Sequence, residues 1–255
     1  MRVVLFASND FALPLLELLH RSYHEIVAIY TQPPSISGRG LLLKHGSIGK
    51  RALELSMNLR HPQVMNEPEQ MEYFSGLAVD IAIVAAYGQI LSPELLIIPR
   101  FGFLNLHPSL LPRWRGAAPI ERAIMEGDEL TGVCTIKMIR KLDAGPILAQ
   151  ANVPIGPEAT AQSLSTLLGE IGAAQVLSTL DSLSEILEIP QSNSGICYAK
   201  KIMKKETRID WHSSAEIIDR TIRGLSPSPG AWCMLKDSRV KILDSRVLQL
   251  RGNPG

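Results

Sequence analysis

Asn105 and His107 stand two residues apart in the run FGFLNLHPSLLPRWRGAAPI at residues 101–120, and Asp143 follows in Leu142-Asp143-Ala144-Gly145. An amide, an imidazole and a carboxylate are the parts needed for acyl transfer. The amide N–H can hold a developing oxyanion, the imidazole can move a proton near neutral pH, and the carboxylate can orient or charge the ring. Residues 103–106 read as a short apolar strand that Pro108 ends, because proline has no N–H for the ladder. Alternation puts the side chains of Asn105 and His107 on one face of that strand. In an open parallel sheet the strand's carboxyl end looks into the ligand crevice. Taken singly, a histidine after a strand is more often packed than catalytic, and an aspartate before glycine is more often a turn residue.

The elements that must position these side chains follow from the hydrophobic pattern. Residues 2–7 (RVVLFA) form a buried-strand run, 11–20 show helical spacing, and 26–31 (IVAIYT) form a second strand. The chain therefore opens as a β-α-β unit, which builds parallel sheets. Ser8-Asn9-Asp10 stands where a dinucleotide site would carry G-x-G-x-x-G, which argues against a nicotinamide cofactor. Helices are predicted over 46–58, 67–77 and 118–126, the last with Pro119 in its first turn. Residues 80–86 read as a central strand beside the Asn105 strand, with Tyr87–Leu91 at the same crevice. Strands over 132–139 and 146–153 flank a tight turn at 140–145 that returns Asp143 to the crevice, and 160–187 supply one or two covering helices. The fold expected is α/β, a Rossmann-like open, parallel-rich sheet. Residues 32–44, rich in Pro, Ser and Gly, read as a surface loop carrying Gly38-Arg39-Gly40.

The 255 residues suffice for one large core plus a smaller unit, and 45% hydrophobic with 20% charged is an ordinary globular composition. No apolar run is long enough to span a bilayer, and no signal-peptide pattern is present. Cys134, Cys197 and Cys233 lack metal-ligand spacing, so reduced thiols, no metal site and a cytoplasmic location are expected. The net charge of +1 hides an asymmetry: from residue 196 onward twelve Lys and Arg face six Asp and Glu, against fourteen and nineteen before it. Such a split suits a polyanionic partner, or simply a solvated surface. Residues 190–195 (PQSNSG) mark a boundary. Beyond them 198–211 hold five basic and two acidic residues, a helix capped by Ser213 or Ser214 runs to Arg223, and 231–235 with 240–243 suggest a hairpin.

Asn105-Leu-His107-Pro-Ser109-Leu-Leu-Pro112-Arg-Trp-Arg115-Gly-Ala-Ala-Pro119-Ile, together with the Leu-Asp-Ala-Gly turn, resembles the signature of the folate-dependent formyltransferases. The likeness is greatest to the branch that acts on initiator methionyl-tRNA. The resemblance implies 10-formyltetrahydrofolate as formyl donor and Asn105, His107 and Asp143 as catalytic residues. It also implies folate contacts from Ser109, Leu110, Leu111, Pro112 and Ile90, and a tRNA contact from Arg39 in the Gly-Arg-Gly loop. It divides the chain into a catalytic domain (1–189), a basic linker (190–207) and a tRNA-binding C-terminal domain (208–255), acting as a monomer. In the family that last domain continues into a barrel of the oligonucleotide-binding type. The strands expected here are too few to close one, so the domain reads as truncated or reduced. An amino-sugar nucleotide acceptor, a formyltetrahydrofolate hydrolase and a non-catalytic nucleic-acid-binding α/β module stand as alternatives.

Overall fold

The computed structural model describes residues 1–37 and 42–248. The elements in chain order are β1 (Arg2–Ala7), α1 (Leu13–Arg21), β2 (Glu25–Tyr30), β3 (Ser35–Ser37), β4 (Leu42–Lys44), α2 (Ser47–Glu54), β5 (Leu59–Arg60), α3 (Pro68–Gly76), β6 (Ile81–Ala85), α4 (Pro93–Leu96) and β7 (Phe103–His107). There follow β8 (Arg115–Gly116), α5 (Pro119–Glu126), β9 (Leu130–Lys137), β10 (Ile147–Pro154), α6 (Ala161–Asp181), β11 (Tyr198–Ala199), α7 (Ala215–Leu225), β12 (Ala231–Leu235) and β13 (Ser238–Ile242).

Seven strands form one sheet in the order β10-β9-β7-β6-β1-β2-β5. The run β7-β6-β1-β2-β5 is parallel, whereas β9 and β10 are antiparallel, so the sheet is mixed. β1 shows why its sequence is apolar throughout: Val3, Leu5 and Ala7 enter the core on one face, Val4 and Phe6 the core on the other. A central parallel strand buried on both faces has no polar side to show. From β1 the chain moves outward to β2, then crosses back to β6 on the other side. That reversal is the switch point at whose carboxyl ends open sheets hold ligands.

β7 obeys the same alternation with a difference that matters. Leu104 and Leu106 join the core beneath α1 and α6, Phe103 joins the opposite core, and Asn105 and His107 are placed on that opposite face. Helix α6 is brought close by its small residues: a Cβ on Gly172 would lie 2.7 Å from Leu106 Cδ1 and one on Gly169 2.6 Å from the Phe11 carbonyl. It is a single helix, and Thr160 caps it by accepting from the Ser163 N–H while the Ser163 hydroxyl accepts from the Thr160 N–H.

Two short pairings lie where the sequence reads as loop or linker. β3 and β4 form an antiparallel hairpin inside residues 32–44, with Ser35 opposite Lys44. β8 and β11 pair in parallel across some eighty residues of chain, Arg115 opposite Tyr198. Pairings of two or three residues are too short to leave a period in the sequence. The C-terminal hairpin turns at Lys236 and Asp237, so β13 starts two residues earlier than its apolar pattern suggests. Among the described residues β12 and β13 make a two-stranded antiparallel sheet that packs with α7 around Ile209, Ile222, Leu225 and Ala231. Helix α7 lies against α5, where a Cβ on Gly224 would come within 2.8 Å of Met125 Cγ.

The joining segment is tied to the sheet domain by Arg122 of α5, whose Nη1 donates to Glu206 Oε1 at 2.7 Å. Hydrogen bonding from that guanidinium holds the Glu206 carboxyl below the usual carboxylate range. A depressed folded-state value means that the stabilisation is present above the unfolded value, about 4.3, and is lost as pH falls through the lower folded one. Thermal melts between pH 5 and pH 3 should therefore cost the wild type about 0.5–1 kcal/mol more than Glu206→Gln. Equal losses would remove this pair from the acid response. Among the described residues no helix is long and apolar enough to cross a membrane.

Candidate active site

Asn105, His107 and Asp143 meet at the carboxyl end of β7. Asn105 Nδ2 donates to Asp143 Oδ1 at 3.0 Å, and Asp143 Oδ2 lies 3.7 Å from His107 Nδ1. The histidine and aspartate side chains are 4% and 9% exposed, so the two groups face each other in a largely dry setting. Asp143 comes from the loop between β9 and β10. It adopts a left-handed conformation (φ 46°), and the Gly116 N–H donates to its Oδ2 at 2.8 Å. Each carboxylate oxygen thus accepts one N–H from a different part of the chain. Asn105 has a second amide hydrogen, which finds no partner among the described residues and is available to a ligand oxygen.

His107 is fixed by its other nitrogen. Nε2 lies 2.8 Å from the Trp114 carbonyl oxygen, which can only accept, so Nε2 carries a hydrogen. The neutral ring then presents the Nδ1 lone pair towards Asp143, and the charged ring presents a second N–H there. Trp114 owes its carbonyl direction to a left-handed backbone (φ 64°). Its indole Nε1 donates to Asp128 Oδ2 at 2.7 Å, and its N–H approaches Cys197 Sγ at 3.1 Å. Asp128 also accepts from Arg113 Nε and Nη2 at 2.8 and 2.7 Å. Burial alone would raise the Asp128 carboxyl, but the bonds from Arg113 and Trp114 outweigh it and hold the group below its ordinary value.

The segment after His107 is packed. Ser109 is fully buried, its hydroxyl donating to the Arg113 carbonyl at 2.7 Å, and Leu111 is buried with Cys134 and Ile136. In this conformation the partly exposed side chains of the Ser109–Pro112 stretch are Leu110 and Pro112. Ile90 stands on a fixed backbone: Asn66 Nδ2 donates to its carbonyl at 2.8 Å, and Gln32 Nε2 donates to that of Tyr87 at 3.0 Å. Its side chain is 87% exposed. Arg39 lies outside the described residues. A cavity of about 650 Å³ lies at the other end of β7, bounded by Phe103, Leu104, Met138 and Ile186 among others. None of the residues singled out from the sequence lines it.

Trp114, Gly116, Asp128 and Gln191 are the contributors that the sequence did not single out. Three of them act through backbone groups or at one remove. Gln191 sits 48 residues from the Asp143 whose carbonyl it contacts, so no local spacing marks it.

Gly145, two residues after Asp143, offers a direct probe of the loop. A Cβ there would lie 1.7 Å from the Lys137 carbonyl oxygen, so the loop or β9 must move. Gly145→Ala is expected to lower kcat about tenfold to a hundredfold through displacement of Asp143. Overpacking should also cost about 1–3 kcal/mol, read as a Tm drop of roughly 2–10 °C. Normal turnover at a lowered Tm would detach the loop's exact placement from catalysis.

An α/β sheet gathers an amide, an imidazole and a carboxylate at the tip of one strand, and the chain belongs to the formyl transferase family. The formyl transferase family model matches residues 1–180, and that of the formyl transferase C-terminal domain matches residues 201–255. Curated relatives named methionyl-tRNA formyltransferase include those of Roseobacter denitrificans (48% identical, over all of this chain and 84% of the relative), Ruegeria pomeroyi (47%, all and 85%) and Paracoccus denitrificans (46%, all and 85%). Solved structures share the fold at lower identity. WlaRD, a sugar 3N-formyl transferase, superposes with TM-score 0.73 at 17% identity, over 98% of this chain and 87% of that one. HypX from Aquifex aeolicus in complex with tetrahydrofolic acid gives 0.71 at 19%, over all of this chain and 40% of that one.

Proposed function

We propose that this chain transfers the formyl group of 10-formyltetrahydrofolate to the α-amine of initiator methionyl-tRNA. The observation that carries the chemistry is Asp143, whose two oxygens reach Asn105 and Gly116 while one faces the His107 ring. The acceptor is supported by relatives of that name at 44–48% identity along the whole chain.

The amine nitrogen attacks the formyl carbon, a C–N bond forms, and the carbonyl π pair moves to oxygen. The free hydrogen of Asn105 stabilises that oxyanion, joined by Nδ1–H when the His107 ring is charged. The amine's proton leaves to the His107–Asp143 pair, directly or through one water. Collapse restores the carbonyl and breaks the bond to N10 of the folate, which takes a proton, leaving formylmethionyl-tRNA and tetrahydrofolate. The Trp114 carbonyl keeps His107 in one orientation throughout, so Nδ1 is the nitrogen at which the proton moves. Ile90, with Leu110 and Pro112, supplies apolar surface for the pterin, while Ser109 and Leu111 support that surface from beneath. Arg39 is assigned to the tRNA.

Incubation with 10-formyltetrahydrofolate and charged initiator tRNA should yield formylmethionine. A parallel incubation with amino-sugar nucleotides should yield no formylated sugar. The reverse result would keep the site and replace the acceptor; inactivity on both would overturn the reading.

A further inference from the structure

We infer that Gln191, in the segment joining the sheet domain to the C-terminal unit, is a positioning residue that holds Asp143 in its working conformation. Its amide is fully engaged. Nε2 donates to the carbonyl oxygens of Asp143 and Gly145, both at 2.8 Å. Oε1 accepts from Arg115 Nε at 3.1 Å and Nη2 at 2.6 Å, and Arg115 is only 3% exposed. The two carbonyls directly follow the Asp143 φ of 46°, a region that costs a non-glycine residue about 1–2 kcal/mol and persists where the surroundings over-determine it. Gln191 supplies that constraint from one side.

The same segment supplies the other side. β11 sets the register of β8, with the Arg115 N–H donating to the Cys197 carbonyl at 3.0 Å and the Ala117 N–H to that of Ala199 at 2.8 Å. Between them Gly116, at φ 116°, passes so near Ala199 that a Cβ would lie 2.9 Å from its carbonyl oxygen. This is the glycine whose N–H holds Asp143 Oδ2. The backbone hold by Gln191 and one of the two carboxylate bonds, that from Gly116, therefore run through residues 191–199. The joining segment is part of the catalytic apparatus as well as a tether.

The catalytic half of the inference rests on reading Asp143 as the working carboxylate; the clamp itself does not. Gln191→Glu keeps the size and the acceptor for Arg115 but turns lone pairs towards two carbonyls. Hydrogen exchange of the amides in 138–146 should quicken at least tenfold, with the exchange of β1 and β6 unchanged. kcat should fall about tenfold to a hundredfold with KM for both substrates within about twofold. In an Asp143→Asn background the same change should cost less than about twofold, because Gln191 acts only through Asp143. Unaltered loop exchange would overturn the clamp. Faster exchange with normal kcat, or full additivity with Asp143→Asn, would overturn the positioning role. A wild type that formylates no acceptor would sink the functional reading, and the exchange readout would still decide the clamp.

Discussion

Asp143→Asn is expected to lower kcat by about three orders of magnitude with the fold retained. The replacement is isosteric, but the site offers donors to both oxygens: Asn105 Nδ2 to one and the Gly116 N–H to the other. An amide has one oxygen and one NH2: with its oxygen towards the Gly116 N–H, its NH2 meets that of Asn105 unless Asn105 turns its own amide, which would withdraw the N–H meant for the oxyanion. An unmade bond of that kind in a dry site costs about 1–3 kcal/mol, a Tm fall of several degrees. The larger loss is chemical. The negative charge 3.7 Å from His107 Nδ1 disappears, and with it the stabilisation of the ring as it takes the proton. Replacing the carboxylate that orients a catalytic histidine costs about 10⁴-fold in serine hydrolases. Somewhat less is expected here because Trp114 holds the ring independently. Saturating formylation assays paired with thermal melts make the measurement, and a kcat within tenfold of wild type would remove Asp143 from proton transfer.

Asn105→Ala is expected to cost about 10²–10³-fold in turnover, the usual effect of deleting one oxyanion donor. Because the bond is made to charge that exists only in the transition state, kcat and kcat/KM should fall together. A rise in KM alone would make Asn105 a ground-state contact. Asn105→Asp separates the donor role from simple space-filling. It sets a second carboxylate against Asp143, and like charges this close cannot both ionise easily, so one pKa of the pair rises. The protonated member has one O–H, which can serve the neighbouring carboxylate or the ligand oxygen but not both, so the donor returns only in part. Activity of Asn105→Asp relative to wild type should therefore climb as pH falls from 7 to 5, while that of Asn105→Ala stays flat. Parallel pH profiles for the two variants would remove the donor argument.

These expectations depend on different depths of reading. Asn105 and His107 are legible as a pair because a strand has a period of two and Pro108 ends it, both local facts. The contribution of Asp143 is only partly local: the turn before Gly145 is visible, but its return to β7 depends on β9 running antiparallel to β7. Ser109 and Leu111 lie in a stretch marked by its motif, yet their side chains face inward, a matter of packing that no motif expresses. In sequence Gln191 is only part of a polar boundary, since its role comes from a carbonyl and a guanidinium distant along the chain.

By itself the sequence determined the alternation that buries β1 on both faces, the β-α-β opening, the strand tip with its amide and imidazole, and the family. Each is set by neighbours within a few residues, where side-chain period and backbone chemistry act directly. Tertiary structure alone decided which distant backbone groups fix His107 and Asp143: the Trp114 carbonyl, the Gly116 N–H, and the Asp143 and Gly145 carbonyls that Gln191 grips. Every residue but proline has the same N–H and C=O, so their use is invisible in side-chain identity. It emerges only when segments far apart in the chain are brought within hydrogen-bonding distance.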